Sequence, residues 1–177
     1  MQREGPAYRY PQAGWIVLHI EGEPYERGYQ HGKLMANEIA DYVKCYATMQ
    51  SPTSPSEGWK ITRTMVDSLF ARKFDPEYLE EMKGIADGAV AGGAKFDGRA
   101  LDLTDIIAIN VWSEVMCLDG ANQATPNGLE GKTFGKPVGA KTPVAVKPSR
   151  CSAFVATGPA TKDGKVVIGH ITMFDLY

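Results

Sequence analysis

Apolar residues recur at helical spacing along most of the first 118 positions. Residues 24–50, 60–72 and 76–91 each carry apolar side chains three or four positions apart, which predicts three amphipathic helices. A fourth helix, beginning near Asp102 or Thr104, is apolar nearly all round. We therefore expect it to be the central buried helix.

Short runs of β-branched and aromatic residues lie near both ends of the chain. Residues 15–20 are bounded by glycines and predict a strand. Residues 151–157 and 165–170 are two further apolar runs, and they flank a turn that contains Asp163 and Gly164. They predict a β-hairpin whose first strand begins at position 151. Helices and strands together predict an α+β fold.

Two glycines interrupt the first predicted helix. Gly28 and Gly32 lie one turn apart, and each one lowers the stability of a helix interior. A second helix or a backbone segment that approaches closely at this point would offset that cost.

Residues 119–149 differ from the rest of the chain. They contain five glycines and four prolines and show almost no periodicity, which predicts a flexible, solvated connection that is accessible to cleavage. The chain is thus expected to comprise a strand and helices in residues 1–118, a processing linker in 119–150 and the first hairpin of a further sheet in 151–177. An apolar strand edge needs a neighbour, so a missing C-terminal part is expected to complete one composite domain.

Composition narrows the possible partners. The formal net charge of −2 gives no reason to expect nucleic acid or an anionic membrane. No run approaches the roughly 18 apolar residues that a transmembrane helix needs. The three cysteines lie far apart with no C-x-x-C spacing, so neither a metal site nor a redox pair is indicated. The polar start lacks a secretory signal, which leaves the localisation unknown: a cytoplasmic protein and one whose signal was removed both fit.

Cys151 begins a predicted strand and directly follows the predicted linker. If the peptide bond after Arg150 is cut, Cys151 gains a free α-amine, which titrates at about pH 7.7–8.0. That amine can act as the base that activates its own thiol. Before the cut, the same sulfur can attack the preceding carbonyl and give a thioester that water hydrolyses. A half-buried strand cysteine is the plainer interpretation of this position.

Several segments occur in a recognisable order. They are residues 22–32 (GEPYERGYQHG), 78–88 (YLEEMKGIADG) and 107–114 (IAINVWSE), followed by 151–154 (CSAF) with 163–170 (DGKVVIGH). In this order the segments resemble the acyl-CoA:isopenicillin N acyltransferase family and its phospholipase B-like relatives, which are N-terminal-nucleophile (Ntn) hydrolases.

The resemblance implies a four-layer αββα sandwich, hydrolysis of an amide or ester bond or acyl transfer, and no metal or organic cofactor. In these families the nucleophile opens the β-chain, and the matching position is Cys151, so the cut would separate Arg150 from Cys151. The implied partners are the C-terminal (β) portion of the same precursor and a small-molecule or peptide-like acyl substrate.

The chain departs from the family after the second strand of the hairpin. The family often carries Gly-x-Asn-Trp-Asp there, whereas residues 169–175 read GHITMFD. Asp175 lies two positions late, so Asp175 and Thr172 are candidate helpers, and a capping or turn role for Asp175 is the alternative. His170 ends the second predicted strand and is a candidate for a polar contact near the site.

Two residues of the helical part are candidates for supporting the site indirectly. Glu114 lies on the apolar fourth helix, and a buried carboxylate needs a partner. Arg27 is the expected partner. His31, next to Gly32, is expected to be a hydrogen-bonded structural histidine, with a cleft-lining role as the alternative.

Two alternatives to cleavage before Cys151 remain open. In the first, the cut follows Tyr177, so that this chain is an α-subunit and the next one carries the nucleophile. In the second, the chain is a non-catalytic binding or structural domain of the same fold, which the missing Asn-Trp-Asp pattern favours.

Overall fold

The computed structural model describes residues 1–116, 118 and 150–173, and these fall into two compact units. In its described part the N-terminal unit contains a small sheet followed mainly by α-helices, and the described part of the C-terminal unit is a hairpin. Helices and strands are both present, which agrees with an α+β fold. Among the described residues, no helix is both long enough and apolar enough to cross a bilayer.

The sheet of the N-terminal unit is an antiparallel meander. Its strands are β1 (Gln2–Glu4), β2 (Ala7–Gln12) and β3 (Trp15–His19), in that order. The strand predicted over residues 15–20 is confirmed as β3, whereas β1 and β2 were not anticipated. Their sequences, QRE and AYRYPQ, lack an alternating apolar pattern, and their burial does not alternate either.

The sheet is followed by α1 (Pro24–Leu34), α2 (Ala36–Gln50), α3 (Pro55–Leu69), α4 (Pro76–Ala91) and α5 (Leu103–Asn110), and residues 112–116 are also helical. A 3₁₀ turn (Ala71–Lys73) follows α3, and a two-residue hairpin, β4 (Lys95–Phe96) with β5 (Arg99–Ala100), precedes α5.

The single helix predicted over residues 24–50 is wrong, because the chain breaks at Met35. Met35 has φ −115° and ψ 22°, and it caps α1 while preceding α2. Because of this break, the two helices pack against different neighbours: α1 packs on α4, and α2 packs mainly on α3. Helical spacing alone cannot distinguish two helices that follow each other without a loop.

The third helix begins earlier than the sequence indicated. The helix was predicted to begin at residue 60, but α3 starts at Pro55, with Ser54 in the N-cap position. Proline is compatible with the first turn of a helix because its missing N–H has no partner there in any case. The Asp75–Pro76 start of α4 and its end at Gly92 agree with the prediction.

α1 and α4 approach each other to backbone contact. A Cβ atom on Gly28 would lie 2.1 Å from the carbonyl oxygen of Glu81, and one on Gly84 would lie 2.2 Å from that of Tyr25. Gly32 and Gly88 are in the same situation. The prediction that a close helix compensates for Gly28 and Gly32 is therefore confirmed.

The hydrophobic core lies among α2, α3, α4 and the α5 region. The expectation that the fourth predicted helix is central and buried is confirmed at Ile106, Ile107 and Ala108. The large buried side chains around them include Val43, Tyr46, Trp59, Val66, Met82, Trp112 and Val115.

The C-terminal unit is the hairpin of β6 (Arg150–Gly158) and β7 (Gly164–Met173). The predicted hairpin is confirmed, although its first strand begins one residue before Cys151. The pairing shifts between Ala156 and Gly158, next to the turn. Within that turn the Asp163 carboxylate accepts a hydrogen bond from the Lys165 N–H at 3.2 Å.

Candidate functional site

Cys151 is the second residue of β6 and is exposed. Its cross-strand partner is Thr172, and Arg150 pairs with Met173. Among the described residues, Cys151 and Cys45 are free thiols, whereas Cys117 lies outside them. The backbone therefore holds the candidate nucleophile at the open end of the hairpin.

The hairpin brings three of the predicted site residues together. Thr172 is directly opposite Cys151, and positions that are paired in an antiparallel ladder have Cβ atoms about 4.5–5.5 Å apart. His170 is exposed and pairs with Ala153, two residues along from Cys151, so it belongs to the same face of the hairpin. Asp175 lies outside the described residues.

Both faces of the hairpin carry exposed apolar side chains. Val155 (62% exposed) and Ile168 (67%) pair on the Cys151 face, while Phe154 (60%) and Ile171 (59%) are on the other. The ring of Phe154 lies against Gly169, its cross-strand partner. A strand pair that is apolar on both faces is typical of a sheet covered on both sides.

Arg27 does not have the partner that the sequence suggested. Its guanidinium bonds to the carboxylates of Glu77 and Glu81 on α4, each at 2.8 Å. Glu114 is exposed and not buried, and its carboxylate accepts a hydrogen bond from the Ser113 hydroxyl at 2.8 Å. The expected Arg27–Glu114 pair is thus absent, and Arg27 instead forms ion pairs with Glu77 and Glu81 that link α1 to α4.

His31 lies half-buried on α1. Burial lowers its pKa below the usual value, and the nearby carboxylate of Glu81 opposes the shift. The imidazole is therefore neutral at pH 7. This environment agrees with a structural histidine in the α1–α4 contact.

The most heavily bonded carboxylate, that of Asp105, was not anticipated from the sequence. Its side chain is fully buried and accepts hydrogen bonds from both terminal nitrogens of Arg99, each at 2.7 Å, and from the Trp59 indole at 2.8 Å. Arg63 lies 2.6 Å away and also forms a bidentate pair with Asp102. These contacts connect α3, β5 and the start of α5.

The pKa of Asp105 is lowered despite its burial. Burial acts to raise it, but the hydrogen bonds from Arg99, Trp59 and the Asp102 N–H, together with the charge of Arg63, outweigh that effect. The sequence held one signal: Asp102 and Asp105 have the spacing of a capping box, and both reciprocal bonds are present. That motif does not reveal Arg63 or Arg99, because neither residue is part of it.

An open cleft of about 590 Å³ lies between the β1–β2 turn and α1. Its lining includes three carboxylates and two phenols, from Glu4, Glu21, Glu26, Tyr25 and Tyr29. Throughout the described part of the chain, no group of three or more His, Cys, Asp or Glu side chains is arranged to hold a metal ion. The cleft is thus an acidic surface feature of the N-terminal unit.

The fold and the hairpin define a mixed α/β protein with an exposed cysteine near a strand start. No family model matches the chain, and no solved structure matches it. A protein of Archaeoglobus fulgidus described as uncharacterized is 31% identical over 172 residues, which cover 92% of this chain and 25% of that relative. The chain thus spans about a quarter of the length of the curated relative it matches.

Proposed function

We propose that the chain is part of an autoproteolytic cysteine Ntn hydrolase or acyltransferase with a four-layer αββα sandwich, in which Cys151 is the nucleophile. The observation that carries the proposal is the position of Cys151: an exposed thiol near the start of a hairpin strand, directly after a segment rich in glycine and proline. The resemblance of the four ordered segments supports the same assignment.

The apolar side chains on both faces of the hairpin support the sandwich. Two strands alone are at best marginally stable in water. Val155 and Ile168 on one face, and Phe154 and Ile171 on the other, would be covered by a second sheet and a helical layer. The greater length of the archaeal relative is compatible with further strands that supply this cover.

Maturation would begin when the sulfur of Cys151 attacks the carbonyl carbon of Arg150. The peptide C–N bond breaks, the acyl group moves to sulfur, and the nitrogen becomes the α-amine of Cys151. Water then hydrolyses the thioester, which leaves a carboxylate on Arg150 and a free thiol.

In the mature enzyme the α-amine of Cys151 would accept the thiol proton, and the sulfur would attack an amide or ester carbonyl. The leaving amine or alcohol departs with that proton, and a thioester acyl-enzyme remains. Water or an amine then accepts the acyl group. The candidates for orienting the reacting groups are Thr172 and His170, which share the face of Cys151, and Asp175. Arg27 and Glu114 would not contact the reacting groups and would act only by stabilising the fold.

A burst experiment on the full-length protein tests the proposal. Excess p-nitrophenyl acetate should release about one equivalent of p-nitrophenol per chain before steady turnover, because the acyl group accumulates on sulfur. Cys151→Ala should abolish the burst, whereas the matched control Cys45→Ala should retain it. An unchanged burst in Cys151→Ala would contradict the assignment.

A cut after Tyr177 is the second candidate, and the pairing of β6 favours it. Arg150 pairs with Met173 in the same ladder as Cys151, so the bond between Arg150 and Cys151 lies within a continuous strand. In that case the nucleophile would be on the following chain. A burst that survives Cys151→Ala in a protein cut after Tyr177 would support this candidate.

A further inference from the structure

Three pairs of residues line the face of the β6–β7 hairpin that leads away from the candidate nucleophile. They are Cys151 with Thr172, Ala153 with His170, and Val155 with Ile168. None of the six is Asp, Glu, Lys or Arg. An acyl group that carries a charge would find no carboxylate or ammonium partner among them, and a charge buried without a partner is costly. This face therefore favours an uncharged acyl group.

Ala153 has the smallest side chain on this face and is the apolar residue nearest to Cys151 along β6. Side chains two positions apart on a strand share a face, so Ala153 follows Cys151 at about 6.6 Å along the strand. The next pair, Val155 and Ile168, is larger and lies about 13 Å along the strand from Cys151. A shallow apolar floor thus separates the sulfur from these two bulkier residues.

The proposed chemistry gives the acyl group a direction along this floor. Once the bond after Arg150 is cut, Cys151 is the first residue of β6, so Ala153 is its only neighbour along that strand on the same face. The leaving amine or alcohol takes its proton from the α-amine of Cys151 and therefore lies at the strand start. The rest of the acyl group points away from the leaving group, over Ala153.

We propose that Ala153 forms the floor of the acyl pocket and that the substrate carries an uncharged, apolar acyl group of medium length, comparable to hexanoyl. The inference rests on the proposed function, because the acyl group lies over Ala153 only if Cys151 is the nucleophile. The cover that the exposed Val155 and Ile168 require would close the far end of the pocket. Ala153 thus determines specificity and takes no part in bond making.

The acylation rates of full-length protein with p-nitrophenyl acetate and p-nitrophenyl hexanoate test the proposal. In each reaction the sulfur of Cys151 takes the acyl group and p-nitrophenol leaves with the thiol proton, so the rate of the burst measures acylation. A buried methylene group strengthens binding about fourfold. Because hexanoate is several methylenes longer than acetate, we expect it to acylate the wild type about tenfold faster or more at equal low concentration.

Ala153→Leu should lower the hexanoate-to-acetate rate ratio about tenfold, because the larger side chain fills the floor of the pocket. The acetate burst should be retained, since an acetyl group stays beside the sulfur. The matched control is Ala156→Leu, the same change on the opposite face of β6, which should keep the wild-type ratio. Both esters are measured on one protein, so partial misfolding of a variant lowers both rates and leaves their ratio unchanged.

Three results would overturn the inference and leave the proposed function intact. A burst that depends on Cys151 but is equally fast with both esters means that no apolar acyl pocket adjoins the sulfur. An unchanged ratio in Ala153→Leu, or the same loss in Ala156→Leu, means that Ala153 is not the floor of that pocket. By contrast, a burst that survives Cys151→Ala contradicts the proposed function itself, and the inference fails with it.

Discussion

The buried carboxylate of Asp105 accepts hydrogen bonds or ion pairs from side chains of two separate elements. Arg63 and Trp59 come from α3, and Arg99 comes from β5. A buried carboxylate paired in this way contributes little net stability relative to an apolar residue, but its loss removes the buried partner of Arg99 and leaves Arg63 with Asp102 alone. The network therefore makes the junction of α3, β5 and α5 sensitive to a single substitution.

Asp105→Asn should lower the free energy of unfolding by about 1–3 kcal/mol, because Arg99 and Arg63, which are 38% and 23% exposed, lose the charge of their buried partner. Urea denaturation of both proteins at pH 7 measures the difference. The matched control is Asp67→Asn, an exposed aspartate on α3, which should change stability by less than about 0.5 kcal/mol. Equal effects of the two substitutions would contradict a central role for the Asp105 network.

His31 makes stability depend on pH at a single residue. Its pKa is lowered in the folded state by burial, so the unfolded chain, with a histidine pKa near 6.5, binds more protons. Stability should therefore fall as the pH drops below about 6.5. Urea denaturation at pH 7 and pH 5 should show a smaller loss for His31→Gln than for the wild type. The same loss in both proteins would exclude His31 as the cause.

At the scale of elements, the α1–α4 pair is held by backbone contact. The two helix axes approach closely because the contact contains no side chains that would keep them apart. Its residues are glycines, Gly28 and Gly32 on α1 and Gly84 and Gly88 on α4. Arg27 then bonds to Glu77 and Glu81 across the contact. Tyr25 on α1 also donates a hydrogen bond to Asp87 on α4 at 2.9 Å, so polar contacts lie beside the glycine contact of the two helices.

Gly84→Ala should lower the free energy of unfolding by about 1–3 kcal/mol, although alanine is the better helix former by about 0.8–1.0 kcal/mol. The added Cβ would lie 2.2 Å from the Tyr25 carbonyl oxygen, so one of the helices must move. Chemical denaturation measures the change. Glu80→Ala, at an exposed position of α4, should remain within about 0.5 kcal/mol of the wild type. A stabilised Gly84→Ala would contradict the packing.

The elements that sequence reasoning predicted are those with a strong local signal. The Asp75–Pro76 start of α4, the apolar run of α5 and the Asp163–Gly164 turn each follow from residues close in sequence. The break at Met35 does not, because it depends on which helix each half packs against. The strands β1 and β2 were missed for a related reason: their pairing is set by neighbours and not by their own pattern.

The residues of the candidate site also differ in whether a local sequence pattern predicts them. Cys151 was predicted from the hairpin pattern and Thr172 from the family resemblance, and the register places them opposite each other. Arg27 was expected to pair with Glu114 because a buried carboxylate on the apolar fourth helix needs a partner. Glu114 is instead exposed and bonds to its neighbour Ser113. No local pattern reveals the contacts of Arg27 with Glu77 and Glu81, because they form between helices far apart in sequence.

At the scale of the molecule, the two units differ in how they are stabilised. Described residues of the N-terminal unit enclose a core, whereas the hairpin of the C-terminal unit exposes apolar residues on both faces. The N-terminal unit is therefore expected to fold alone, and the hairpin to need a cover.

Separate production of residues 1–118 and 141–177 tests this difference. The longer piece should show a cooperative thermal transition by circular dichroism, because its core is closed. The shorter piece should show no stable strand signal in water, because two strands alone are marginal. A cooperative transition in the isolated hairpin piece would show that its apolar faces need no cover.

The most direct test of the central claim is the N-terminal sequence and intact mass of the mature full-length protein, compared with Cys151→Ala. The account predicts a β-chain that begins Cys-Ser-Ala-Phe in the wild type and an uncut chain in the variant, since the sulfur makes its own cut. An active wild-type protein in which Arg150 and Cys151 remain joined would contradict it.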